Sequence, residues 1–327
     1  PNADQTEMLL GNYNGTPTDP ITPLRGIREA VGGGTQVLYA RGSDLASGSD
    51  SLENEAVAAA RQADAVVLFL GLTARLEGEE MRVQIEGFAG GDRTRIDLPT
   101  AQEHLLERIA AVGKPTVLVL MSGSALAVTW AQDHVPAILE AWYPGQAAGT
   151  AIADVLFGDY SPAARLPVTF YRGVDDLPPF DDYKMTGRTY RFFAGTPLYP
   201  FGHGLSYTTF AYKNLRTSAP TVRADGAVTV SVDVTNTGKR TGDEVVQLYV
   251  QHLGSAVTRP RKDLRGYARI TLRPGETRTV QLPLGASSLA YWNADGHRWV
   301  VEEEPVRIQV GASSTDVRLE ATLRVRR

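Results

Sequence analysis

Three glutamates crowded into four positions, Glu77, Glu79 and Glu80, are the side chains in this sequence best suited to chemistry. Carboxyls can give and take protons, so a cluster of them is a candidate for general acid/base work. Their setting sharpens this. They follow directly on Ala65 to Leu72, a run of aliphatic and β-branched residues that reads as a strand buried on both faces of a parallel sheet. Open α/β sheets bind ligands outside the carboxyl ends of their strands, and that is where these glutamates fall. The competing reading is a solvated acidic loop, made flexible by Gly87, Gly90 and Gly91 and closed by Gly91-Asp92-Arg93.

The elements on either side must position that loop. Ile27 to Val31 reads as the end of a short helix, Thr35 to Ala40 as a strand, and Ser51 to Gln62 as an amphipathic helix. After the loop, apolar residues at helical spacing (Leu105, Leu106, Ile109) predict a helix from Thr100 to Val112, which Gly113 ends. Pro115 to Met121 is a second buried strand, and Ser122-Gly123-Ser124 after it is a tight turn with exposed backbone amides. That tripeptide lacks the frame of a nucleophile elbow. Ala137 to Ala141 is a third strand, followed by Trp142-Tyr143-Pro144-Gly145-Gln146 and a small-residue helix to Phe157. Alternating strands and helices give an α/β fold with a mostly parallel sheet and flanking helices. Gly32-Gly33-Gly34 precedes a strand where a phosphate-binding loop would follow one, so it reads as a turn.

From Arg165 to Phe210 the chain is rich in aromatics, Pro and Gly. This segment is either a wrap packed over a core edge or a platform for sugar rings. Beyond Lys213 the apolar period switches to two, with turn signals at Asn236-Thr237-Gly238, Arg273-Pro274-Gly275 and Asp295-Gly296. Roughly six or seven short strands there predict an antiparallel β-sandwich. No carboxylate or histidine cluster stands out in it, and it reads as a packing module. The expected domains are 1–212, α/β with aromatic wrap, and 213–327, all-β.

Composition narrows the function. The 327 residues suit roughly two domains. A net charge of −4 argues neither for nucleic acid nor for an anionic membrane, and neither is expected as a partner. The absence of cysteine removes disulfide and thiolate chemistry. The five histidines are scattered, so no metal site is expected, and no cofactor is implied. No apolar run approaches the ~20 residues that span a bilayer.

Taken together, GNYNGTP, TPLRGI, LEGEEM with GGDRT, SGSALAV, WYPGQAAGTAIADVLFGDYSPAARLPVTF and PLYPFGHGLSYTTF resemble the C-terminal part of glycoside hydrolase family 3, the β-glucosidase and β-xylosidase type. KDLRGYARITLRPGET resembles the fibronectin type III-like domain that ends many of these proteins. The resemblance implies an α/β sandwich domain followed by that all-β domain, with the family's (β/α)8-type barrel absent from this chain. In relatives a strand precedes PNAD, so the first strand of the sandwich is also expected to be missing. Ala164 departs from the glycine usual before R-L-P.

Retaining glycosidases use two carboxyls about 5–5.5 Å apart, one nucleophile and one acid/base. The resemblance implies an aspartate nucleophile on the barrel, outside this chain, and an acid/base glutamate delivered by the acidic loop. Register with the family's loop selects Glu79, with Glu77 the alternate and Glu80 a weaker third choice. Such a carboxyl needs a raised pKa for proton donation near neutral pH. The implied activity is exo-hydrolysis of terminal non-reducing β-D-glucosyl residues. A β-xylosidase is the alternative, which GNYNG favours weakly, and a non-catalytic carbohydrate-binding accessory chain is another. The family's N-acetylglucosaminidases usually place their acid/base on the barrel, so the acidic loop argues against them. Implied partners are the missing N-terminal barrel polypeptide and an oligosaccharide or glycoside, with a homodimer left open. The implied location is periplasmic or secreted.

Overall fold

The computed structural model describes residues 1–78 and 80–326. Contacts divide the chain into two compact units, one of residues 1–160 and 170–176, the other of 161–169 and 177–327.

The first unit is built on a three-stranded parallel sheet in the order β1 (Val66–Gly71), β5 (Thr116–Met121), β6 (Ala137–Glu140). Val66 pairs with Thr116 and Val117 with Ala137, so the three strands finish near one edge at Gly71, Met121 and Glu140. Phe69, Val119 and Met121 pack with Met8, Leu9, Ala148 and Ile152 into a buried cluster. Helices α1 (Pro23–Val31), α2 (Asp50–Gln62), α3 (Thr100–Ala110) and α5 (Ala148–Phe157) flank the sheet, with a shorter α4 (Thr129–His134) before β6.

The helix starts follow local chemistry. The Thr22 hydroxyl accepts the Arg25 N–H at 3.3 Å with Pro23 as the first helical residue, and Ser49 accepts the Leu52 N–H at 3.3 Å. The buried carboxylate of Glu53 on α2 accepts a 2.7 Å hydrogen bond from Arg108 on α3.

Two expectations fail here. Thr35 to Ala40 forms no strand: the segment has strand-like residues but pairs with no neighbour among the described residues. β-Propensity is realised only against a partner strand. The acidic loop is also not simply flexible. Its second half folds into the short strands β2 (Gln84–Ile85), β3 (Phe88–Ala89) and β4 (Asp92–Arg93), paired antiparallel.

The second unit contains the β-sandwich. One sheet has the order β11 (Asp263–Leu272), β10 (Gly242–His252), β15 (Pro305–Gly311), β16 (Val317–Arg326), β8 (Thr221–Arg223). The other runs β12 (Thr277–Gly285), β9 (Ala227–Asn236), β7 (Phe210–Thr217). Val228, Val230, Val232 and Val234 of β9 point into a core shared with Val246, Leu248, Ile308 and Leu323. Pairing is antiparallel apart from β16 with β8, which is parallel. A small hairpin, β13 (Tyr291–Asn293) with β14 (Arg298–Val300), completes the described strands.

The contacts do not divide the chain at 212/213, a position inside β7. Much of the aromatic segment folds with the sandwich. Arg165 pairs with Glu244 at 2.9 Å, both side chains being buried, and Tyr190 stacks on Phe201 and meets Tyr249 edge-on. Phe180 and Tyr183 stay exposed.

The sandwich also holds a polar cluster that its sequence did not suggest. Buried His252 lies 2.6 Å from Glu304, whose other oxygen accepts the Gly254 N–H at 2.9 Å. Nearby, Glu302 accepts from the Ser255 hydroxyl at 2.5 Å and the Ala256 N–H at 2.8 Å. Dozens of residues separate these partners in the chain, which is why no sequence motif announces them.

Candidate active site

The site assembles at the carboxyl edge of the three-stranded sheet. After β1 the chain turns, with the Leu76 and Glu77 N–H groups donating to the Thr73 carbonyl at 2.9 and 3.1 Å. This turn carries Glu77 over the edge, where its carboxylate accepts three hydrogen bonds. They come from the Gly123 N–H at 2.5 Å, the Ser124 hydroxyl, and the Tyr143 hydroxyl at 2.5 Å. Gly123 and Ser124 follow β5, and Tyr143 follows β6. The exposed amide expected at Ser122-Gly123-Ser124 is therefore taken up by a carboxylate of this chain. A Cβ at Gly123 would stand 2.9 Å from the Tyr143 ring and 3.2 Å from Glu77 Oε1, which is why glycine occupies this position.

Arg93 supports the same corner from β4. Its guanidinium donates to the Ser124 hydroxyl at 3.0 Å and to the carbonyls of Ala125 (3.2 Å) and Asp97 (2.7 Å), and lies 6.0 Å from the Phe88 ring centroid. The returning arm of the loop crosses under its start. Gly91 has φ 95°, and a Cβ there would lie 1.9 Å from the Gly78 carbonyl oxygen, so only glycine permits the crossing. The Met81 N–H to Gly90 carbonyl bond, 2.7 Å, ties the two arms together.

Two further groups at the edge went unnoticed in the sequence. Glu140 ends β6, and burial, then the nearby charge of Glu77, push its carboxyl up to about 8, against the Trp142 N–H that bonds it. Tyr143 is raised as well, by burial and by its proximity to Glu77, so its hydroxyl stays a donor. Glu140 lies in the strand expected from Ala137 to Ala141, Tyr143 in WYPGQ and Arg93 in GGDRT, but only folding brings them to one corner.

Of the three loop glutamates, Glu77 is anchored to the sheet. Glu80 is exposed, with φ 48° in the left-handed region. Glu79 lies outside the described residues, although Gly78 and Glu80 on either side are described. Among the described residues no group of three or more His, Asp or Glu is arranged to hold a metal ion.

This fold recurs in known proteins. The family model described as "Glycosyl hydrolase family 3 C-terminal domain" matches residues 1–207, and the model of a fibronectin type III-like domain matches residues 244–314. A periplasmic β-glucosidase of Salmonella typhimurium is 38% identical, over 97% of this chain and 45% of its own length. A β-xylosidase of Formosa agariphila is 43% identical, over 94% of this chain and 42% of its own. Among solved structures, a β-glucosidase from Erythrobacter marinus superposes with TM-score 0.87 at 36% identity, covering 100% of this chain and 46% of that one. The chain thus spans about half the length of the curated relatives it matches. It belongs to glycosyl hydrolase family 3, of which it carries the C-terminal α/β domain and the fibronectin type III-like domain.

Proposed function

We propose that this chain is the C-terminal portion of a retaining, exo-acting β-glucosidase, and that Glu79 is the general acid/base it supplies to a site shared with an N-terminal barrel. The nucleophile would then lie on the barrel. One observation carries the assignment within the loop: Glu77 is engaged by three donors and serves as an anchor. A carboxylate held as acceptor to three groups of its own chain is poorly placed to shuttle a proton. Glu79 follows in sequence on Gly78, whose carbonyl the returning arm crosses at Gly91. In the reaction Glu79 protonates the leaving oxygen as the glycosyl group passes to the nucleophile, then deprotonates the water that releases it. Gly123, Ser124, Tyr143 and Arg93 fix the loop's base while this occurs.

A β-xylosidase is the second reading, favoured by the relative of that name at 43% identity. Comparing hydrolysis of p-nitrophenyl β-D-glucoside and β-D-xyloside by the full-length protein decides between them. A periplasmic or secreted location is supported by the relative named a periplasmic β-glucosidase. No helix among the described residues is long and apolar enough to cross a membrane. Residues 1–327 alone should not hydrolyse either glycoside, and addition of the barrel polypeptide should restore turnover. Robust hydrolysis by this chain alone would overturn the shared site.

The direct test is Glu79→Ala in the full-length protein. Glycosides with poor leaving groups should slow by ~10²–10⁴-fold, whereas a dinitrophenyl glycoside, which needs no proton, should keep its first step. Azide should then restore turnover and yield the β-glycosyl azide. Glu77→Ala should slow turnover by loosening the loop and give no azide product. The azide product appearing with Glu77→Ala instead would move the role to Glu77.

A further inference from the structure

At the same sheet edge sits a carboxyl that the proposed chemistry does not use. Glu140 is half-buried as a residue, but its Oε2 is sealed from solvent and has no hydrogen-bond partner among the described residues. Its Oε1 accepts the Trp142 N–H at 3.0 Å. A charged carboxylate with one oxygen orphaned away from water is costly, and Glu77 places a like charge nearby. The neutral acid is therefore the favoured form.

The residue it holds is unusual. Trp142 has φ 55°, a left-handed conformation that a bulky side chain seldom adopts and that persists only where its surroundings impose it. Glu140 fixes its N–H, and Phe170 meets its ring edge-on at 6.0 Å. The reversed backbone at Trp142 sends the next residue, Tyr143, back over the sheet, where its hydroxyl reaches Glu77. Contacts thus run without a gap from Glu140 through Trp142 and Tyr143 to the base of the acidic loop.

We propose that Glu140 is a positioning residue for the acidic-loop site: in its neutral form it holds the left-handed Trp142 and thereby aims the Tyr143 hydroxyl at Glu77. The titratable groups around it are Glu77 from the loop, Tyr143 on its own turn and, beyond Glu77, Arg93 from β4. The neighbouring strand β5 places Leu120 opposite it and has no charged residue. Ionisation of Glu140 would put a second negative charge beside Glu77 and weaken the clamp. The activity part of this inference rests on the loop being catalytic; the structural part does not.

The test uses full-length protein and the variants Glu140→Gln, which keeps an acceptor for the Trp142 N–H but cannot ionise, and Glu140→Leu, which removes the acceptor. Thermal melting is followed from pH 4.5 to 9. The folded Glu140 carboxyl is raised from 4.5 to about 8, so the stability it contributes is complete below about 4.5 and lost as pH rises toward 8. Glu140→Gln should therefore gain on the wild type across that interval, with the difference in Tm growing by ~5 °C. Parallel melting curves would overturn the neutral carboxyl.

For activity, kcat is measured on a dinitrophenyl glycoside, whose first step needs no proton, so that kcat reports release of the glycosyl group by water, the step in which the loop glutamate is the base. The wild type should show an alkaline limb near pH 8 that moves up by about one unit or more in Glu140→Gln. Glu140→Leu should lose about tenfold in kcat with kcat/KM on this substrate nearly unchanged, and Glu140→Gln should recover most of that loss. An unmoved limb, or a leucine variant with wild-type kcat, would overturn the positioning role. If the wild type itself cleaves no glycoside, the proposed function fails while the melting difference still decides the state of Glu140.

Discussion

The two compact units each gather carboxylates around a buried corner, and they do so to different ends. In the sandwich, Glu304 and Glu302 have every oxygen engaged, by His252, the Gly254 and Ala256 amides and the Ser255 hydroxyl. At the edge of the parallel sheet, Glu77 is equally engaged, but Glu140 keeps an orphan oxygen and Trp142 a left-handed backbone. The first arrangement secures the ends of strands. The second leaves a carboxyl oxygen without a partner beside a left-handed tryptophan, whereas the unmet atom of the sandwich cluster is a ring nitrogen, His252 Nε2. Residue types alone do not separate the two corners; what differs is whether each carboxyl oxygen has a partner.

That comparison can be broken by measuring Tm and kcat/KM together on variants of the full-length protein. The largest expected effect is Glu304→Ala. It leaves the Gly254 amide without its acceptor and the His252 ring with the Arg259 guanidinium at 3.2 Å as its remaining neighbour, at a cost of ~2–4 kcal/mol, with Tm falling by ~10 °C. Its kcat/KM, measured below the melting range, should match the wild type. A loss of turnover in protein that is still folded would make the sandwich cluster part of the site.

Tyr143→Phe should behave in the opposite way. It removes one hydrogen bond to a charged group, about 1.5–3 kcal/mol, and kcat/KM should fall roughly 10–100-fold, with Tm moving by no more than a few degrees. A large fall in Tm with unaltered turnover would make the Glu77 corner merely structural. The smallest effect expected is from Gly123→Ala. Its new Cβ would press on the Tyr143 ring at 2.9 Å, and a strain of about 1 kcal/mol should cost roughly fivefold in kcat/KM. An effect exceeding that of Tyr143→Phe would mean that the Gly123 turn, rather than the tyrosine, carries the anchor.

Much of the fold was legible along the chain. The runs ending at Leu72 and Met121 are the strands expected, to within a residue, because a strand buried on both faces must be apolar throughout. The alternating valines of β9 likewise announce a sheet with a single buried face. Legibility failed where the outcome depends on a neighbour. Thr35 to Ala40 has the composition of a strand and no partner, and the glycines after Glu80 suggested mobility where they allow a tight crossing. The aromatic segment after Arg165 offered no period to show which unit it would join, and contacts such as Arg165–Glu244 made that choice.

By itself the sequence determined the sheet, the sandwich, the position of the acidic loop and the family, since all four follow from local periodicity and from contiguous motifs. Tertiary structure decided which carboxyl of that loop is an anchor, because the three donors to Glu77 come from the ends of two other strands, 46, 47 and 66 residues away. It also brought Glu140 beside Glu77, and with that the electrostatics of the site. Charge interactions and desolvation depend on distance in space, and distance in space is what a linear string of residues does not record.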